Sequence, residues 1–211
     1  PYWPSPDYPI PPSRWANGWQ GRLGQEPDPH QYALHLAQVM GNLRRCLKDG
    51  GLLWLVLGDH HMEGRGWLDL PSLVSQAIRQ HPDRPLVQID RILWEKDKGQ
   101  GRAETILVLA KEGRNSPLPG EGWRSAAAVQ SGQWSSFPGE LVRWAIFKSF
   151  GSGQGRVLEN ACLVDPFCGA GTALRIARES GWFWIGIDED ALGIAQACQN
   201  LKFNPKKVEV I

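Results

Sequence analysis

Along the chain, apolar residues alternate between helix-period and strand-like segments. In "DPHQYALHLAQVMGNLRRCLKDGG", Tyr32, Leu36, Val39, Met40, Leu43 and Leu47 recur at helical spacing. Asp28 is placed to cap that helix, Pro29 sits at its first position, and Gly50-Gly51 stop it. The unbroken apolar run "LLWLVL" (52–57) predicts a strand covered on both faces. Gly58-Asp59-His60-His61 then reads as a loop at its carboxyl end. A second helix is predicted over 69–80, capped by Asp69 and carrying Leu73, Val74, Ala77 and Ile78. Residues 86–96 and 103–111 are strand-like. The "DKGQGR" between them is too short for a crossover helix, so they should pair as an antiparallel hairpin.

The Gly/Pro/Ser-rich stretch 112–133 reads as a connector. After it, "SSFPGELVRWAIFKSF" predicts a helix with Leu141, Trp144, Ala145 and Phe147 on one stripe. A buried strand (161–165), a helix (172–180), a strand (182–188) and a helix (191–201) complete the chain. Strand–helix alternation with one hairpin predicts a doubly wound α/β sheet with an antiparallel edge. It is expected as a single domain over 1–211, with a first half (1–111), the connector (112–133) and a second half (134–211). Residues 1–27, rich in Pro, Gly and Trp, should form an irregular but ordered loop.

Composition narrows the class. With 42% hydrophobic and 21% charged residues the chain suits a globular protein, and its apolar runs are too short to span a bilayer. The four cysteines form no Cys-x-x-Cys pair, which argues against zinc and a disulfide framework and for a reducing, cytoplasmic setting. A net charge of +1 advertises no nucleic-acid surface, so any such surface must be local. Arg14, Arg22, Arg65, Lys96, Lys98 and Arg102 lie in or beside loops, where they either meet phosphates or are simply solvated.

The richest chemistry lies in "LVDPFCGAGTALRIA". A strand closes on Asp165, a loop carries Gly169 and Gly171, and a helix opens at Thr172. Glycines there let a ligand approach the backbone and the free N–H groups of the helix's first turn. Sixteen residues beyond Thr172 the next strand is expected to end on Asp188, where a carboxylate can accept from both ribose hydroxyls of a nucleoside. A dinucleotide fingerprint wants a small residue three positions after the second glycine. Position 174 is Leu, and Asp165 would repel a pyrophosphate. An acid there suits a cationic ligand, such as the amino group or sulfonium of S-adenosylmethionine.

"DPFCGAGT" followed by "WIGIDED" resembles the cofactor motifs of the DNA amino-methyltransferases, which methylate N4 of cytosine or N6 of adenine. Their catalytic motif reads Ser/Asp-Pro-Pro-Tyr/Phe, often followed by Trp, and Pro1-Tyr2-Trp3 resembles its last three residues. "LGQEPDPHQYALHL", "LKDGGLLWLVLGD", "ILWEK", "ETILVLAK" and "FPGELVRWAI" resemble segments of the permuted, beta-type members in the same order. The resemblance implies a Rossmann-like, S-adenosylmethionine-dependent methyltransferase cut within its catalytic motif. The strand before the catalytic loop would then be missing. It also implies a cofactor site of Asp165, Pro166, Phe167, Cys168, Gly169, Gly171, Thr172, Asp188, Phe137 and Pro138.

In that family two acceptors on the amine hydrogens make the nitrogen nucleophilic, and Tyr2 would stack on a base flipped out of duplex DNA. No covalent intermediate is needed, so Cys168 is expected to be a packed loop residue. Asp59 either lines the same cleft or is a solvated loop acid. Adjacent His60 and His61 point apart and are expected at the surface, without metal. Three alternatives stay open: an RNA guanine-N2 methyltransferase, a fragment that binds cofactor without turnover, and an amino end that is a floppy Pro-rich tail with Tyr2 and Trp3 merely packing.

Overall fold

A computed structural model describes residues 2–4, 11–64, 66–95, 103–113, 130–131, 134–135, 138–150 and 161–202. The chain divides into two compact units, Pro1–Ala126 and Ala127–Ile211. The division falls inside the expected connector.

The first unit opens with a two-residue hairpin, β1 (Ser13–Arg14) and β2 (Gln20–Gly21), turned at Gly18. Helix α1 (Pro29–Cys46) follows, its first turn capped by Asp28, whose carboxylate accepts from His30 and Gln31 N–H. β3 (Leu52–Gly58) leads to a small hairpin of β4 (His60–Met62) and β5 (Gly66–Leu68) where a plain loop was expected. Helix α2 (Leu70–Arg79), capped by Asp69, precedes β6 (Val87–Glu95) and β7 (Ala103–Ala110). These two strands pair antiparallel, as their short join requires.

The sheet order is β3-β7-β6, all antiparallel. The central strand β7 is buried from Glu104 to Ala110. Tyr32, Leu36 and Met40 of α1 and Leu70, Val74 and Ile78 of α2 meet Leu55, Leu57, Leu107 and Leu109 in one core. The reading of 52–57 as covered on both faces needs correction: only Leu55 and Leu57 of the strand are fully buried, and Leu52, Leu53, Trp54 and Val56 are half-buried. An unbroken apolar run reports hydrophobicity, not which neighbours arrive to cover it.

The second unit begins with β8 (Gln130–Ser131) and β9 (Trp134–Ser135), a short antiparallel pair, and α3 (Gly139–Phe150). A β-α-β-α run follows: β10 (Cys162–Asp165), α4 (Thr172–Glu179), β11 (Phe183–Gly186) and α5 (Ala191–Asn200). β10 and β11 pair in parallel, as a strand–helix–strand crossover allows. Neither strand is fully buried. Val164, Phe183, Ile185 and Ile187 stand exposed, so the expectation of a buried strand at 161–165 is corrected too. β11 stops at Gly186, which leaves Asp188 two residues past the strand. The described strands of the two units belong to separate sheets, and the elements themselves are the α/β set the pattern predicts.

Candidate functional site

The glycine loop is held by bonds that its sequence alone does not reveal. Ile187 N–H donates to the Asp165 carbonyl and Cys168 N–H to the Ile187 carbonyl, so residues 166–168 fold back across the end of β11. Gly171 N–H closes the turn on the Cys168 carbonyl, and Asn200 of α5 donates to the Ala170 carbonyl at 2.9 Å. Gly169 and Gly171 both have positive φ (46° and 76°), the region glycine occupies without a Cβ clash. A Cβ at Gly171 would also lie 2.9 Å from that of Ala197. Gly171 caps α4 with no side-chain hydrogen bond. Among the described residues no capping side chain therefore competes for the first-turn amides, the arrangement that favours an anionic or polar ligand group.

Leu174 has its explanation on the neighbouring strand. It is buried, and a Cβ on Gly186 of β11 would stand 2.3 Å from its Cδ1 and 3.1 Å from Cys168 Sγ. The small residue that a dinucleotide site places on the helix is here on the strand, and the large one on the helix. The helix still seats closely on the sheet.

Asp188 is half-buried beyond β11. Its Oδ2 accepts Gly169 N–H at 2.7 Å and its Oδ1 accepts Asp190 N–H at 2.9 Å. The first bond staples the glycine loop to the β11 end, and the second closes a local turn before α5. A carboxylate has about four acceptor positions, so two remain for a ligand's hydroxyls. Asp190, which sequence reasoning did not single out, caps α5 through Leu192 and Gly193 N–H. A Cβ on Gly193 would stand 3.5 Å from Gly169, so the start of α5 lies close against the loop.

Asp165 accepts Phe167 N–H at 3.2 Å. Desolvation by the surrounding protein pushes its carboxyl above the usual range, the Phe167 N–H opposes that rise, and the Asp188 charge adds to it. The same surroundings, burial first and then the Asp165 and Asp188 charges, push the Cys168 thiol up to about 12. Cys168 is therefore a protonated packing residue. It joins Leu174 and Leu201 in a small core, as the loop reading expected. Phe167 is 40% exposed and Pro166 half-exposed on the same loop.

Asp165, Pro166, Phe167, Cys168, Gly169, Gly171, Thr172 and Asp188 thus come together around two strand ends and one helix start. Pro138 is buried at the head of α3, where the next residue, Gly139, packs on Ile176 of α4. Phe137 lies outside the described residues.

In the first unit the amino end is tied down. Tyr2 donates its hydroxyl hydrogen to Glu104 Oε2 at 3.1 Å, and Trp3 donates its indole N–H to the Glu26 carbonyl at 2.9 Å. Trp3 packs against Tyr32 and meets His60 edge-on at 5.3 Å. Glu26 is itself buried, bonded to His35 and Gly24 N–H. Pro1 lies outside the described residues.

Asp59 is exposed. Partial burial and nearby Asp69 raise its carboxyl, while Arg91 opposes them. His61 packs against Trp67. Arg14 is exposed and Arg22 bonds Gln25. Arg65, Lys96, Lys98 and Arg102 lie outside the described residues.

No family model matches the chain. It is 31% identical over 136 residues to the Type II methyltransferase M.SmaI of Serratia marcescens, covering 64% of this chain and 35% of that protein. It is 24% identical over 198 residues to the Type II methyltransferase M.MwoI of Methanothermobacter wolfeii, covering 85% of this chain and 26% of that protein. The chain therefore spans only about a quarter to a third of these two relatives. Among solved structures it superposes on the cytosine-N4-specific PvuII DNA methyltransferase with a TM-score of 0.65 at 15% identity, covering 97% of this chain and 79% of that one. For the SAM complex of M1.HpyAVI the TM-score is 0.56 at 15% identity, with 78% and 80% covered. The chain is thus similar in sequence to Type II methyltransferases and has the α/β fold of the DNA methyltransferases on which it superposes.

Proposed function

We propose that this chain transfers the methyl group of S-adenosylmethionine to the exocyclic amine of cytosine (N4) or adenine (N6) in DNA. The observation that carries this reading is the second unit's loop, with two acids, two left-handed glycines and an uncapped helix start gathered on parallel strand ends.

The donor set fits this cofactor. Asp165, whose carboxyl is held up by burial, gains most from a cationic neighbour, which a sulfonium or α-amino group supplies and a pyrophosphate does not. Asp188 keeps acceptor capacity for ribose hydroxyls after binding Gly169 and Asp190. Phe167 and Pro166 offer apolar surface for an adenine ring, and Gly169, Gly171 and Thr172 offer backbone and helix-start amides. Phe137 and Pro138 complete the set by resemblance. When bound, the cofactor supplies an electrophilic methyl group. Tyr2 and Trp3, with Pro1 by resemblance, form the platform on which an extruded base stacks.

DNA as substrate is supported by the superposition on the PvuII DNA methyltransferase and by the similarity to two Type II methyltransferases, which together disfavour the RNA guanine-N2 reading. Among the described residues no helix is long and apolar enough to cross a membrane.

Calorimetry with S-adenosylmethionine, and transfer of its labelled methyl group to unmodified amplified DNA, test the proposal together. Asp188→Ala should weaken cofactor binding at least tenfold. Tyr2→Ala should abolish transfer with cofactor affinity within about twofold of wild type. Digestion of the product to nucleosides assigns N4 or N6. Unchanged affinity in Asp188→Ala removes that acid from the site, and cofactor binding with no transfer by the wild-type chain reduces the protein to a binding module.

A further inference from the structure

One buried carboxylate in the first unit has no part in the cofactor site. β7 runs "ETILVLA", and its Glu104 is only 8% exposed in a strand otherwise committed to the core. An ionised carboxylate out of water is costly unless donors reach it. One donor is identified: the Tyr2 hydroxyl, 3.1 Å from Oε2 across 102 residues of sequence. The register shows how the site was made. Glu104 pairs with Gly58 on β3 and with Trp94 on β6, so one flank carries no side chain while the other carries a fully buried indole. A Cβ added at Gly58 would lie 3.9 Å from Glu104 Cγ and Oε1, within contact range. Glycine at 58 places no side chain against that side of the carboxylate.

We propose that Glu104 is a positioning residue for Tyr2. The inference rests on the reading above, in which the Tyr2 ring carries the target base. A carboxylate is acceptor-only, so the phenol must donate, and its O–H direction and ring plane follow from a group fixed in the central strand. Trp3, bonded to the Glu26 carbonyl and braced by His60, fixes the next residue. Glu26 is in turn held by His35 at 2.9 Å. The pair is thus set at both ends: β7 holds the tyrosine tip and the loop before α1 holds the tryptophan. A stacking platform with little freedom to reorient presents the base amine in one geometry, and that raises turnover more than it raises affinity.

The test compares Glu104→Leu, which suits the apolar strand but accepts no hydrogen bond, with Glu104→Gln, whose amide oxygen still accepts. The probe is unmodified amplified DNA with labelled S-adenosylmethionine. Glu104→Leu should lower kcat at least tenfold, with cofactor affinity and DNA KM within about threefold of wild type. Glu104→Gln should recover most of that loss. Tyr2→Phe should cost a similar factor alone and almost nothing when combined with Glu104→Leu. Wild-type kcat in Glu104→Leu, or losses that multiply in the double variant, overturns the positioning role. A parallel cycle on unfolding free energy reads the contact without catalysis: no Tyr2–Glu104 coupling there overturns the contact itself. No transfer by the wild-type chain overturns instead the reading of Tyr2 as a base platform.

Discussion

At the scale of single residues, one acid of the second unit, Asp165, carries a stability cost that a bound cation would relieve. Asp165 has its carboxyl raised in the folded state, chiefly by desolvation. The sign of the linkage follows. A folded state that holds the proton more tightly than the unfolded chain loses stability as pH rises from the unfolded value, about 3.9, through the raised one. At neutral pH the ionised Asp165 is thus a cost to the empty protein, and a cationic ligand relieves it. Asp165→Asn keeps the oxygen that accepts Phe167 N–H and removes the charge. It should raise the melting temperature at pH 7, with the gain vanishing as pH falls below about 4. The same variant should bind S-adenosylmethionine at least tenfold more weakly. Melting curves between pH 4 and 8, with calorimetry at pH 7, check both; a variant less stable than wild type at pH 7 contradicts the assignment.

The residues legible in the sequence were those whose chemistry is local. Asp165, Gly169, Gly171 and Asp188 announce themselves by type and spacing around one turn. Gly186, Asn200 and Glu104 did not, because each acts on a partner that only the fold brings near: Leu174, the Ala170 carbonyl and Tyr2. A buried acid in an apolar run, as in "ETILVL", was the one available signal for Glu104. Tyr2 could not be paired with it from 102 positions away.

At the scale of elements, helices were easier to place than strand faces. α1 begins at Pro29 behind the Asp28 cap and α4 at Thr172, as capping and glycine chemistry dictate. Strand burial was misjudged because an apolar run does not say how many faces its neighbours cover. β7, flanked on both edges, is buried throughout from Glu104; β10 and β11, equally apolar, alternate exposed and half-buried positions. The contrast is measurable. Leu107→Ala in β7 removes packing from a fully buried side chain and should cost about 2–5 kcal/mol. Ile185→Ala in β11, where the side chain is 51% exposed, should cost under about 1 kcal/mol. Urea unfolding of the two variants decides it, and equal losses would mean the outer face of β11 is covered in solution.

At the scale of the whole molecule, the chain divides the proposed work between its two units. The residues proposed to hold the cofactor, from Asp165 to Asp188, all lie in Ala127–Ile211, and Tyr2, Trp3 and Glu104 all lie in Pro1–Ala126. A ligand slows hydrogen exchange only where opening destroys its site. At a free concentration one hundred times Kd, S-adenosylmethionine stabilises the binding-competent state by about 2.7 kcal/mol. That corresponds to roughly hundredfold slower exchange for amides whose opening breaks the glycine loop. The expected pattern is therefore local. The amides of Cys168, Gly169 and Gly171, bonded to Ile187, Asp188 and Cys168, should slow most, together with Asp190 and Gly193. Exchange read by mass spectrometry with and without the cofactor tests this. Greatest slowing in β3 or β7, or none in residues 168–193, would move the cofactor out of the second unit and remove the basis for assigning Asp165 and Asp188 to it.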